Sequence, residues 1–343
     1  MNVRRSRSRS RIGTTAVAGA AALGLLALSA CGNSNAADGK DGEGLNVVAS
    51  FYPMQFLAEE IGGKHVDVNT LTQPGVEPHE LELKPRQIAE LGEADLLLYL
   101  GGMQPAVDEA VEQSGVKNKV DAASLTDLDL HSADDGHDHG GHEEHAEEGH
   151  EEAGHEEHGG EHAEEGHEGE ATDPHFWLDP SKYAEAAKGV GKSLEKADPD
   201  HAADYKKNTD ALVKKLEGLD KDFEDGLKST ETKTFITAHT AFGYLAERYG
   251  LHQEGVTGLD PKAEPSPARM KELQQVAKDE KVSTIFFETL ASDKTAKTLA
   301  GDAGLKTDVL DPLEGITDKS KGADYIEVMR ANLTALKKAL GAK

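Results

Sequence analysis

Three histidines and one aspartate lie where the chain could bind a metal ion. His79 follows the second predicted strand, His239 ends a later strand, and Asp311 follows the last predicted strand. His175 lies between two Asp-Pro pairs, where the prolines restrict the backbone and predict a rigid corner. Functional side chains of parallel sheets gather at the carboxyl ends of strands. If the two halves of the chain face each other, we expect all four side chains to meet between them.

The types of these four residues favour zinc. Three imidazoles and one carboxylate suit a tetrahedral zinc site, whereas manganese prefers more oxygen ligands. Each histidine alone is more simply explained as an ordinary buried or solvated side chain, because histidine is intermediate in burial. The coincidence of four such positions, rather than any one of them, predicts a metal site.

The elements that must position these residues alternate along the chain. Short apolar strands, such as Leu45–Ser50 and Ser283–Phe287, alternate with amphipathic helices in both halves. This alternation predicts an α/β fold with parallel sheets covered on both faces. Between the halves, apolar residues at steps of three, four or seven over Asp200–Leu227 predict one long helix, typical of a strut between two lobes.

These patterns divide the chain into successive segments. We expect a signal peptide at 1–30, a flexible tether at 31–44, a first α/β lobe at 45–197 with a disordered insertion at 131–170, a linking helix at 198–229, and a second α/β lobe at 230–343.

The first segment predicts export and a lipid anchor. Five arginines precede an apolar run from Ala16 to Ala30, too short and too rich in small residues for a spanning helix. The sole cysteine, Cys31, follows Leu-Ser-Ala, which resembles the bacterial lipoprotein signal, and it leaves no disulfide possible within the chain. Several acyl chains on Cys31 would anchor the protein stably. The alternative is ordinary secretion with a chance cysteine.

The charge of the chain excludes several partners. The formal net charge is −27 at pH 7, and it becomes −32 when the five leader arginines are removed. Such a surface repels nucleic acid and anionic lipid, so we expect contact with the membrane through the lipid anchor only.

The segment from His131 to Glu170 has a composition of its own. It contains ten histidines and sixteen acidic residues but no lysine or arginine. No apolar core can form from it, which predicts a disordered insertion. Neutral imidazoles among carboxylates predict weak binding of several zinc ions.

A family resemblance follows from the order of the motifs. These motifs are Pro-His-Glu-Leu-Glu-Leu-Lys-Pro, Leu-Leu-Leu-Tyr-Leu-Gly-Gly, the His-rich insertion, Asp-Pro-His-Phe-Trp-Leu-Asp-Pro, Thr-Ala-His-Thr-Ala-Phe-Gly-Tyr-Leu, Glu-Pro-Ser-Pro and Leu-Asp-Pro-Leu-Glu-Gly. Over almost the whole mature chain, they resemble the solute-binding lipoproteins of zinc ABC transporters.

The resemblance implies a function and a ligand set. It implies two Rossmann-like lobes joined by a rigid helix, and one zinc ion bound between them and delivered to an ABC permease. It places the ligand histidines at His79, His175 and His239, with Asp311, another carboxylate or water as the fourth ligand. Manganese-binding relatives often carry Glu where this chain has His239. We expect a monomer located outside the cytoplasm.

Three alternatives remain open from the sequence. The protein could bind manganese or another divalent metal, or act as an adhesin without a transporter. A zinc hydrolase is disfavoured, because the sequence contains neither His-Glu-x-x-His nor a nucleophile elbow. We therefore expect no enzyme. Glu264 and Glu288 are expected to form hydrogen bonds near the site or between the lobes rather than to bind the metal.

Deletion of residues 131–170 tests the role of the insertion. We expect the zinc stoichiometry to fall to about one while the tightest binding event stays nearly unchanged, because the tight site uses residues outside the insertion. Calorimetric titration with a competing chelator measures both quantities. Loss of the tight event from a protein that is still folded would show that the insertion supplies a ligand.

Overall fold

Two four-stranded parallel sheets organise the chain, one in each half. The computed structural model describes residues 44–128, 172–290 and 293–343, all within the unit Gly42–Lys343. The predicted signal peptide, Cys31 and the His-rich insertion lie outside the described residues. The α/β class predicted from the sequence is confirmed.

The two sheets have the same strand order. The first sheet is ordered β2-β1-β3-β4 and the second β6-β5-β7-β8, with every neighbouring pair parallel. The strands are β1 (Leu45–Ala49), β2 (Val66–Thr70), β3 (Leu96–Tyr99), β4 (Lys119–Asp121), β5 (Thr234–Thr237), β6 (His252–Gly255), β7 (Thr284–Phe287) and β8 (Lys306–Val309). In each sheet the first strand in sequence lies second in space. Because the strands of a sheet are parallel, the loops that follow them lie at one edge of that sheet.

Helices cover the sheets and connect the two halves. They are α1 (Tyr52–Gly62), α2 (Pro85–Glu93), α3 (Pro105–Gln113), α4 (Pro180–Ala197), α5 (Ala202–Leu227), α6 (Gly243–Arg248), α7 (Pro267–Asp279), α8 (Lys294–Ala303) and α9 (Tyr325–Ala339). The long α5 packs against α1 and α4 and also against α9. Its predicted apolar face is buried, from Tyr205 through Leu212 and Leu216 to Phe223. None of the helices in the described segments is long and apolar enough to span a bilayer.

The segment around Trp177 joins the first half to the second. The Trp177 side chain is fully buried, and its indole Nε1 donates to the carbonyl of Pro312 at 2.8 Å. The Tyr325 hydroxyl donates to the Trp177 carbonyl at 2.6 Å, and the Tyr244 hydroxyl donates to the Asp173 carbonyl at 3.1 Å. Trp177 is therefore a core residue, and its hydrogen bonds fix the corner that carries His175 to the second half.

Close packing of α4 on α5 can be tested at one glycine. A Cβ built on Gly191 would lie 2.2 Å from Thr209 Oγ1 and 2.9 Å from its Cγ2, so the threonine would have to give up its hydrogen bond to Tyr205 O. We expect Gly191→Ala to lower the free energy of unfolding by about 1–3 kcal/mol. Denaturant titration followed by circular dichroism measures the change.

The matched control is Gly218→Ala, also within a helix. A Cβ at Gly218 would meet nothing within 4 Å. We expect this variant to raise the free energy of unfolding by about 0.5–1 kcal/mol, because alanine is the better helix former. Equal effects of the two substitutions would contradict the packing argument.

Candidate metal centre

Three imidazoles and one carboxylate converge between the two sheets. The Nε2 atoms of His79, His175 and His239 lie 3.4, 3.4 and 3.3 Å from Oε1 of Glu314. One ligand atom from each of the four residues lies within 4.8 Å of all the others. The structure thus brings together the three predicted histidines.

Strand ends and one rigid corner place these side chains. His79 lies in the loop between β2 and α2, and His239 follows β5. His175 immediately precedes a single 3-10 turn, Phe176–Leu178, that leads into α4. Glu314 lies in the segment between β8 and α9. The positions follow the rule that functional side chains gather beyond the carboxyl ends of parallel strands.

Carboxylates orient two of the imidazoles from behind. His175 Nδ1 lies 2.7 Å from Asp173 Oδ1, which also accepts a hydrogen bond from the His175 backbone N–H at 2.9 Å. His239 Nδ1 forms a short hydrogen bond with Glu288 Oε1. A carboxylate on Nδ1 fixes the ring and leaves Nε2 to coordinate a metal. The expected hydrogen-bonding role of Glu288 is confirmed, whereas Glu264 is exposed and lies outside the cluster.

The third imidazole is held by its backbone. The His79 N–H donates to Glu77 Oε1 at 2.9 Å, and the Pro78 carbonyl accepts from Gln104 Nε2 at 3.2 Å. Burial, reinforced by the negative charge of Glu314, raises the pKa of Glu77 to about 7. This loop therefore adds a further weakly acidic group beside the cluster.

Strong electrostatic coupling links the buried groups. Burial alone would raise the pKa of Glu314, but the three imidazoles outweigh it and hold that pKa well below its usual range. Burial alone would lower the pKa of His239 and His175, but Glu288 and Asp173 respectively outweigh it, and both pKa values are raised. The cluster therefore stabilises the carboxylate of Glu314 as an anion facing a ring of nitrogen atoms.

The inward-facing atoms lack hydrogen-bond partners. Nε2 of His79, His175 and His239 and both carboxylate oxygens of Glu314 are buried without a hydrogen bond to any described residue. Buried polar atoms without partners are costly, and native proteins satisfy nearly all of them. A divalent cation at the centre would satisfy all four side chains, and this donor set suits tetrahedral zinc.

Asp311, which the sequence suggested as a fourth ligand, is not part of this group. Its carboxylate accepts from the Leu313 N–H at 2.9 Å and from the Thr289 hydroxyl at 3.2 Å. Leu313 has a positive φ of 58°, uncommon for a residue other than glycine, and its side chain is fully buried. Asp311 thus stabilises the tight turn that aims Glu314 at the three histidines.

Sequence reasoning passed over Glu314 for a local reason. Both carboxylates follow the same strand, and we selected the one at the strand end. Glu314 lies three residues further on, in the same Leu-Asp-Pro-Leu-Glu-Gly motif. The signal for it was therefore present in the sequence, but the direction of its side chain depends on the turn at Leu313.

A family model and known proteins similar to this chain agree on one family. The family model described as the periplasmic component A of a zinc-uptake complex matches residues 47–339. The high-affinity zinc uptake system protein ZnuA of Bacillus subtilis is 40% identical over 320 residues, covering 92% of this chain and 94% of that protein.

Streptococcal relatives extend the comparison to solved structures. The zinc-binding lipoprotein AdcA of Streptococcus pneumoniae is 38% identical over 324 residues, and the match covers 92% of this chain but 59% of AdcA. The Zn(II)-bound ZnuA-like domain of AdcA superposes with a TM-score of 0.67 at 33% identity, covering 87% of this chain and 99% of that domain. With its family model spanning most of the sequence, the chain belongs to the ZnuA family of zinc-uptake binding components.

Proposed function

We propose that this protein captures a zinc ion outside the cytoplasm and delivers it to an ABC permease. The observation that carries the proposal is the buried cluster of His79, His175, His239 and Glu314, whose inward-facing atoms have no hydrogen-bond partner among the described residues. Zinc is the cargo of this site. Three nitrogen donors favour zinc over manganese, which prefers more oxygen ligands.

A transport role fits this donor set better than catalysis. A catalytic zinc keeps one coordination position open for water or substrate. Here three histidines and a buried glutamate supply four ligands, which leaves no open position in a tetrahedral shell. We therefore propose a binding protein rather than an enzyme, acting as a monomer.

We also propose that Cys31 carries a lipid anchor. The support is the Leu-Ser-Ala-Cys sequence after a basic and apolar leader, together with the relative named as a lipoprotein. The tether from residue 31 to residue 44 would leave the folded part free to reach a permease in the same membrane.

Removal of a ligand side chain tests the site directly. We expect His79→Ala, His175→Ala, His239→Ala and Glu314→Gln each to weaken tight zinc binding by more than ~10–100-fold. That range is typical for the loss of a residue that only hydrogen-bonds a metal ligand. His252→Ala is the control, because His252 is exposed and lies outside the cluster. Competition titration with a chelator measures the affinity, and elemental analysis of protein purified without added metal identifies the ion. Unchanged affinity in all four variants would contradict the assignment.

The carboxylates that bond Nδ1 of His175 and His239 should also affect the zinc affinity of this site. We expect Asp173→Asn and Glu288→Gln each to lower zinc affinity by ~10–100-fold, because each removes the group that orients an imidazole. Asp198→Asn is the matched control, because Asp198 bonds His201 Nδ1 at 2.7 Å outside the cluster. The same chelator titration applies. An equal loss in the control variant would mean that the effect is not specific to the metal ligands.

The anchor has its own test. We expect Cys31→Ala to release the protein from the membrane fraction while its zinc affinity stays unchanged, because the cysteine lies far in sequence from all four ligands. Cell fractionation and incorporation of labelled fatty acid are the measurements. A parent protein that never incorporates the label would contradict the lipid anchor.

A further inference from the structure

Solvent approaches the cluster from the side of His79. The His79 side chain is 14% exposed, whereas the side chains of His175, His239 and Glu314 are 0% exposed. A cavity of about 260 Å³ opens beside His79, and both halves of the chain line it, through residues that include Glu80, Pro174, Leu259 and Asp260. A zinc ion that enters or leaves the cluster through this cavity passes its rim.

An ion pair crosses between the halves at that rim. Lys262 Nζ, in the loop before α7, bonds Glu80 Oε2, in the loop before α2. Glu80 directly follows His79 in the chain and also lines the cavity. The two side chains are half-exposed, so the pair can break and re-form without unfolding either half.

The lysine side of this pair is attached to the His239 segment. Two backbone hydrogen bonds, both of 3.0 Å, join the loop 257–258 to the residues on either side of His239: Thr257 N–H to Ala238 O, and Thr240 N–H to Gly258 O. The Lys262 N–H in turn donates to Asp260 Oδ1 at 2.8 Å. Movement of Lys262 away from Glu80 is therefore coupled to the position of His239.

The glutamate side is attached to His79 in the same way. The Leu81 N–H donates to the Pro78 carbonyl at 3.1 Å, which closes a turn with His79 and Glu80 at its centre. Because Glu80 and His79 share this turn, a force on the Glu80 carboxylate acts on the His79 backbone. The ion pair thus joins the same two segments, the His79 turn and the His239 loop, that approach Glu314 in the cluster.

We propose that the Glu80–Lys262 ion pair acts as a latch that slows the exchange of zinc. This inference rests on the proposed function and deepens it, because it assigns residues outside the ligand set to the rate of zinc release. The latch holds together the two segments that border the cavity beside His79, one carrying Glu80 and the other Asp260. Breaking it lets the His79 turn and the His239 loop separate more often, which gives the bound ion more chances to leave.

The structure contains a matched control pair. Lys215 Nζ bonds Glu60 Oε2 at 2.7 Å, with similar side-chain exposure and large separation in sequence. This pair joins α1 to α5, away from the cavity and the metal ligands. Loss of the Lys215 charge should change zinc kinetics no more than any other surface substitution.

Stopped-flow release of zinc into excess chelator is the test, with the full chain loaded with one equivalent of zinc. We expect Lys262→Met and Glu80→Gln each to raise the dissociation rate constant by about two- to five-fold, the range expected for an exposed ion pair. Lys262→Arg should keep the dissociation rate constant of the parent protein, and the double variant Glu80→Lys with Lys262→Glu should restore it. Lys215→Met should leave the dissociation rate constant unchanged.

The two single variants should differ in association. Lys262→Met leaves the carboxylates of Glu80 and Asp260 at the mouth, which attract a cation, whereas Glu80→Gln leaves the lysine charge, which repels one. We therefore expect faster zinc association in the first variant than in the second. A merely structural role of the pair would not produce this difference in association.

Two outcomes would overturn the latch. Dissociation from Lys262→Met and Glu80→Gln at the rate of the parent protein would show that the pair does not limit release. A rise in Lys215→Met as large as in Lys262→Met would show a general charge effect. Failure of the parent protein to bind one zinc tightly would instead contradict the proposed function, which the equilibrium titration tests separately.

Discussion

The structure depends on one constraint, the burial of the Glu314 carboxylate among three imidazoles. Removing an anion from water is costly unless it is paired, and here the pairing atoms face inward from both halves of the chain. The pKa of Glu314 is held well below its usual range because three histidines surround it, although burial opposes this. Such an arrangement concentrates negative charge and nitrogen donor atoms at one point, where a divalent cation can displace the imidazole protons and be bound favourably.

The scaffold makes this convergence possible by repeating one topology. Both sheets place their first strand second in space, and the loops beyond β2, β5 and β8 bring His79, His239 and Glu314 to a common region. Buried contacts then fix the halves to each other, through α5 and through the hydrogen bonds around Trp177. Because a metal site tolerates errors of only a few tenths of an ångström, the strands and helices must hold these loops rigidly in place.

Much of this site could be predicted from the sequence, and the remainder could not for a definable reason. His79 and His239 were predicted because strand periodicity reveals where strands end, and strand ends determine where side chains gather. His175 was predicted because two Asp-Pro pairs mark a rigid corner. The choice between Asp311 and Glu314 depends instead on a turn in which Leu313 adopts a positive φ. A leucine in that conformation is stabilised by burial and by the Asp311 carboxylate, and neither its burial nor its positive φ is visible in local sequence.

The four side chains of the cluster are supported unequally, and this difference bears on both binding and release. His175 and His239 are fully buried and oriented by carboxylates, whereas His79 is partly exposed and held through its backbone. Buried, hydrogen-bonded groups contribute most to equilibrium binding, because breaking them leaves uncompensated polar atoms. An exposed contact contributes little energy, and the proposed Glu80–Lys262 latch would act instead on how often the site opens. A carrier must bind its cargo tightly and still release it, and this division allows each property to depend on different residues.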